Sequence, residues 1–322
     1  MSRRHWTLLL ALAAIWGASY MFIKIGVRDL SPAVVAWARI ALAALVLVPV
    51  AVARGQFSRN GVSVWLLTLL GLVQAGGPFV LIAAGEEDVS SSLAGILVAS
   101  TPLFTALLAI WIDHEERSEG LRLVGVLLGL VGVAVLLGLD LGGSGAELLG
   151  GAMIVLASLG YAIGGFIVKH RAARMAPTGV AAWVMLTSTI ALLPVAIAGA
   201  PAEAPGIGPV AAVTVLGVVG TGIAFAIFYE LMTTVGPART FIVTYLAPAF
   251  AVAYGVALLD EGLTAFTIAG LVLIVGGSYL AAEGRLPGRG SGPDDAPRAN
   301  EAPASETDLP VQTAGAGREA SG

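Results

Sequence analysis

Arg39 is the residue that asks most of its surroundings. It lies about six residues inside an uninterrupted apolar run at 33–53, ~9 Å deep if that run is helical. A charge at the centre of a membrane helix costs about 2.5–3.5 kcal/mol on insertion scales. Arg39 therefore either reaches back to the interface along its flexible stem or contacts an anion or carboxylate in a polar cavity. Trp16, Tyr20 and Lys24 follow at i, i+4 and i+8, which places them on one stripe of a helix. Trp16 is too near the middle of its run to act as an interfacial anchor, so Trp16 and Tyr20 are expected to line a cavity, whereas Lys24 fits the membrane boundary. Gln74, Tyr161, Trp183 and Tyr245 complete the candidate substrate-binding set. Gln74 stands out because Gly71, Gly76, Gly77 and Pro78 around it loosen a helix and free backbone carbonyls. The hydroxyls of Ser158, Thr187 and Thr244 are expected to bond their own helix backbone. Glu230, at the end of the run 208–231, is the acid placed nearest a span interior and the candidate for ion coupling.

Several other chemistries lack their residues. With no cysteine in the chain, disulfides, thiol nucleophiles and thiolate metal sites are excluded. His114-Glu115-Glu116-Arg117 lacks the second histidine of a zinc-binding helix, and neither a Gly-x-Ser-x-Gly elbow nor a Gly-rich phosphate loop occurs. No enzyme activity, metal or cofactor is expected, and no basic stripe suggests nucleic acid.

The elements that would position these residues follow from composition. The chain is 57% hydrophobic and 12% charged, with a mean hydropathy of +0.90, far from the ~45–50% apolar and ~25% charged of soluble domains. Apolar runs at 6–25, 33–53, 62–84, 89–112, 121–139, 147–168, 178–199, 208–231, 238–259 and 264–282 are each about long enough to cross ~30 Å of hydrocarbon. They are continuous rather than alternating, which predicts ten transmembrane helices in an all-α protein. The first run exceeds the apolar core of a signal peptide and is expected to remain as a span. Arg3, Arg4, Arg54, Arg59, Arg117 and Lys169 then share one side, which the positive-inside rule makes cytoplasmic. Both termini fall there. The acidic loops with Glu86-Glu87-Asp88, Asp140, Glu203 and Asp260-Glu261 face outward. Residues 284–322, rich in Gly, Pro, Ala and acid, are expected to form a disordered cytoplasmic tail.

The spans repeat. Lys24, Pro32 and Pro49 recur as Lys169, Pro177 and Pro194, shifted by 145. Gly71, Gly76, Phe79, Pro102 and Glu115 recur as Gly217, Gly222, Phe225, Pro248 and Glu261, shifted by 146. Two five-span halves, 1–140 and 141–283, must then be inverted relative to one another, an arrangement suited to alternating access around a central site.

These features resemble an EamA-type member of the drug/metabolite transporter superfamily. The resemblance runs over residues 6 to 282 and rests on the two five-span repeats, Pro102 and Pro248 in their fourth spans, and Glu115 and Glu261 in the loops that follow. Asp260-Glu261-Gly262-Leu263-Thr264 is close to the family's Gly-Glu-x-Leu-Thr pattern, with Asp in place of Gly. It implies a carrier of metabolites, amino acids or drugs, with those prolines and glutamates as markers of the fold. The expectation is a secondary transporter of a small organic solute in the inner membrane, partnered by lipid; a channel or sensor is the alternative, and a lipid-modifying enzyme a more distant one.

Overall fold

The computed structural model describes residues 2–112, 120–137 and 144–283. Glu115, Asp140 and the segment 284–322 lie outside them. Among the described residues every regular element is helical: α1 (Arg3–Gly26), α2 (Pro32–Ala53), α3 (Val64–Gly71), α4 (Gly77–Asp88), α5 (Ser91–Val98), α6 (Thr101–Ile112), α7 (Leu121–Val135), α8 (Gly145–Ile167), α9 (Pro177–Ala198), α10 (Ile207–Gly217), α11 (Ala224–Thr234), the single turn α12 (Pro237–Thr240), α13 (Ile242–Leu259) and α14 (Ala265–Glu283). Nine helical stretches within the described residues are long and apolar enough to cross a membrane, and α7 is a shorter apolar helix of 15 residues. The starts are written locally. Ser31 accepts from the Val34 amide ahead of Pro32, Ser63 caps α3, and Ser144 caps α8, each hydroxyl occupying a donor that the helix leaves free.

The outer surface carries Leu45, Trp65, Trp111, Ile207 and Val272, an apolar skin that suits lipid and not water. Inside, small residues bring backbones together, as membrane helices require in the absence of a hydrophobic drive between them. The tightest pairing joins α7 to α14, where a Cβ on Gly125 would stand 2.6 Å from the Gly277 carbonyl, and one on Gly277 would stand 2.5 Å from the Gly129 amide. α2 packs on α9, α4 on α8, and α1 on α13.

Besides the turn at Phe241 that parts α12 from α13 in the expected ninth span, three interruptions depart from ten unbroken spans. α3 and α4 are joined by a π turn at Leu72–Gly76, and α10 and α11 by one at Val218–Ile223; their starts differ by 146. Pro78 lacks an amide, and the glycines around both turns let the backbone widen. The third break divides the expected fourth span between α5 and α6, ahead of Pro102. Its freed carbonyls are taken up by hydroxyls: Ser100 and Ser158 donate to Leu97 at 2.6 and 3.3 Å, and Ser278 donates to Ala99 at 2.7 Å. Pro248, its repeat mate, lies inside unbroken α13. The third span also runs further than its apolar residues, since α4 extends through Glu86-Glu87-Asp88 rather than ending at 84.

Candidate functional site

Arg39 sits on the inner face of α2, 8% exposed, and does not reach the interface. Its Nε donates to Thr221 Oγ1 at 2.8 Å, and its guanidinium carbon lies 3.8 Å from the centre of the Phe79 ring. Both partners belong to the widened helices. Phe79 follows the first π turn by one helical turn. Thr221 lies in the second, where its hydroxyl also donates to the Leu216 carbonyl at 3.0 Å, a group that widening frees. Arg39 thus joins α2 to both interrupted spans. Neither Nη makes a hydrogen bond among the described residues, so donors in a fork geometry remain for a planar acceptor.

The neighbouring faces are aromatic. Tyr20 from α1 and Tyr161 from α8 pack against the same apolar group of Ile23, Ile82, Ala83 and Ala157, and both phenols are electrostatic neighbours of Arg39. Phe79 meets Tyr161 edge-on at 6.4 Å. One turn from Tyr20, Trp16 packs on Phe225 and Phe228 of α11, with ring centres at 6.1 and 5.4 Å. Phe225 is the repeat mate of Phe79. Gln74 lies in the first π turn, its stem covering Gly164 of α8.

The remaining sequence candidates lie apart from this cluster. Trp183 stacks on Phe57, with centres 4.6 Å apart and planes 9° apart, and its Nε1 donates to the Phe57 carbonyl at 3.2 Å. Tyr245 meets Tyr279 at 5.7 Å, between α13 and α14. Glu230 accepts from Arg4 at 2.6 Å in an exposed ion pair. A Trp183→Phe variant keeps the stack and loses one hydrogen bond worth ~0.5–1.5 kcal/mol. It is expected to lower thermal stability slightly and to leave the half-saturation concentration for exchange unchanged; a shifted half-saturation would put Trp183 in the solute path.

Two groups escaped the sequence reading. Thr221 is not singled out by the sequence. Glu86, assigned to an outer acidic loop, is completely buried while Glu87 and Asp88 are exposed. Its stripe is visible in retrospect, because Phe79, Ile82, Ala83 and Glu86 follow at helical spacing on one buried face.

A helical bundle with lipid-facing sides, interrupted spans and a buried cation among aromatic rings defines a membrane transporter in class. The comparisons with known proteins agree. The EamA-like transporter family matches twice, over residues 5–138 and 148–282, and the chain belongs to it. It is 26% identical over 291 residues to the Escherichia coli K12 protein named "Probable amino-acid metabolite efflux pump", covering 87% of this chain and 95% of that one. It is 28% identical over 285 residues to the "Uncharacterized inner membrane transporter YedA" of the same strain, covering 84% and 90%. A solved crystal structure superposes with a TM-score of 0.61 at 19% identity, over 87% of this chain and 98% of its own, and so shares the fold. The protein is a multi-pass membrane transporter for small molecules.

Proposed function

We propose that this chain is an inner-membrane secondary transporter that moves a small organic metabolite by alternating access of two inverted five-helix repeats, residues 1–140 and 141–283. The observation that carries the reading is a set of contacts duplicated at the repeat offset. A Cβ on Gly71 would meet the Val184 carbonyl at 3.0 Å, and one on Gly217 would meet the Arg39 carbonyl at 3.1 Å. Gly217 is Gly71 shifted by 146, and Val184 is Arg39 shifted by 145. The paired π turns and the two family matches support the same duplication. α7, although short, then serves as the fifth of ten spans, and the Lys and Arg distribution puts both termini in the cytoplasm. Arg39, with Tyr20 and Tyr161 beside it, suits a solute bearing a carboxylate, held by charge-assisted hydrogen bonds. The relative named for amino-acid metabolites is consistent with a solute of that size and charge.

The test is counterflow in proteoliposomes of the full chain. Vesicles loaded with an unlabelled mixture of amino acids and amino-acid derivatives are diluted into a labelled trace of the same mixture. A carrier gives transient accumulation of label above equilibrium. Flux that is linear in concentration and indifferent to the internal load would instead mark a channel and sink the alternating-access reading.

A further inference from the structure

Glu86 is 0% exposed, and neither of its carboxylate oxygens has a hydrogen-bond partner among the described residues. Two of the charges around it are bonded to helix ends. From α1, the Lys24 ammonium donates to the backbone carbonyls of Glu86 at 2.5 Å, Glu87 at 3.4 Å and Val89 at 3.0 Å, closing the negative end of α4. From the loop after α13, the Glu261 carboxylate accepts from the Ser91 amide at 2.7 Å, the Ser92 amide at 2.9 Å and the Ser92 hydroxyl at 2.5 Å, closing the positive end of α5. From α2, Arg39 is an electrostatic neighbour whose Nε is bonded to Thr221 while its Nη donors stay open, and from α1 the Tyr20 phenol is another. At this level α8 presents Gly150 and Ile154, which abut Gly85 and carry no charge. Beside these, Ser91 is also fully buried, and its hydroxyl has no partner.

This end of the bundle is therefore tied by a cation on one helix terminus and a carboxylate on the next, with a lone carboxyl enclosed between them. A carboxylate buried with no donor is strongly disfavoured, and a neutral carboxyl bearing its proton is disfavoured far less. Should that proton leave, the new charge is answered by Lys24, which already reaches the backbone carbonyl of Glu86 itself, or by water. Either answer takes Lys24 from the carbonyls of α4 or wets the enclosure, and the tie is undone.

We propose that Glu86 is a proton-binding site of the transport cycle: the bound proton keeps this end of the bundle closed, and its release frees Lys24 and lets the end open. The step is one proton passing from the Glu86 carboxyl to water, with only an O–H bond broken and remade. On the proposed topology the end concerned is the outer one. The inference takes its meaning from the transporter reading, but its test requires no transported solute.

Because the chain contains no cysteine, Ser91→Cys places a unique thiol beside Glu86 at a side chain that makes no hydrogen bond. The full chain carrying this reporter is reconstituted in vesicles and treated with a membrane-impermeant maleimide, and each rate is divided by that of the detergent-unfolded protein at the same pH to remove the thiol's own ionisation. From mildly acidic to mildly alkaline pH the corrected rate is expected to rise roughly tenfold, as a single proton equilibrium would produce. In the Glu86→Gln background, where the amide imitates the neutral acid, it stays low throughout. Glu86→Asp keeps a carboxyl and is expected to retain the response, displaced along the pH scale. Infrared difference spectra between the same pH limits should show a protonated-carboxyl signal that Glu86→Gln removes and Glu230→Gln retains. A labelling response that is the same in all three backgrounds, or an infrared signal unaltered by Glu86→Gln, overturns the proposal. Failure here leaves the counterflow result standing, and failed counterflow leaves these spectra and rates as they are.

Discussion

Arg39→Met is expected to lower the initial rate of solute exchange by one to two orders of magnitude while the protein inserts and purifies normally. A hydrogen bond to a charged group contributes ~1.5–3 kcal/mol, and every ~1.4 kcal/mol is a factor of ten in affinity. Losing the guanidinium should thus cost roughly 10- to 100-fold if a solute carboxylate is its partner. The opposite expectation holds for the fold, because replacing a buried charge by an apolar side chain of similar length is often neutral or stabilising. Arg39→Lys retains the charge without the fork and should fall between the two. Thr221→Val leaves the guanidinium but removes the partner of its Nε, so it tests orientation apart from charge. The rates come from counterflow, and insertion from size-exclusion chromatography of the solubilised protein. Exchange at the normal rate in Arg39→Met would remove Arg39 from the site.

Gly277→Val should fail at an earlier stage, yielding little monodisperse protein. A Cβ at Gly277 would approach the Gly129 amide to 2.5 Å and the Gly125 carbonyl to 2.7 Å. These are backbone atoms of α7 and cannot rotate aside. The two helices must separate, and overpacking of this kind costs about 1–3 kcal/mol or more. The adjacent residue is the control. A Cβ at Gly276 meets nothing within 4 Å, and Ala is preferred to Gly within a helix by ~1 kcal/mol. Gly276→Ala is therefore expected to match or exceed the thermal stability of the unaltered chain. Equal behaviour of the two variants in a melting assay would refute the close α7–α14 packing.

The helices were the legible part of this molecule, because a backbone in lipid has one way of satisfying itself and continuous apolar runs betray it. That Trp16, Tyr20 and Arg39 turn toward other helices was also legible, the first two by helical spacing and the third by its cost. The break between α5 and α6 was not, since Pro102 and Pro248 are the same residue in matched positions and only Pro102 follows a break. What differs is tertiary: Ser158 and Ser278 reach the carbonyls of Leu97 and Ala99 from other helices. Trp183 and Tyr245 resemble Trp16 and Tyr20 in type, and only packing sends them to Phe57 and Tyr279. Glu86 was hidden by its company, because three successive acids read as a solvated loop. One of the three turns inward on the stripe of Phe79 and Ile82, while its neighbours stay wet.

The duplicated contacts are not identical, and one mismatch falls at the site. Arg39 and Thr221 correspond to Val184 and Ala75 in the opposite halves, so the hydrogen bond between helix α2 and the second π turn has only an apolar counterpart. A carrier whose halves trade conformations would, with identical halves, spend equal time facing each compartment. On the proposed alternating-access reading, a facing that keeps the Arg39–Thr221 hydrogen bond would be favoured over its mirror image by up to ~1.5–3 kcal/mol, since Val184 and Ala75 cannot form it. The unloaded carrier would then wait on one side for roughly 10 to 150 intervals in every one spent on the other, a standing preference set by one arginine before any gradient acts.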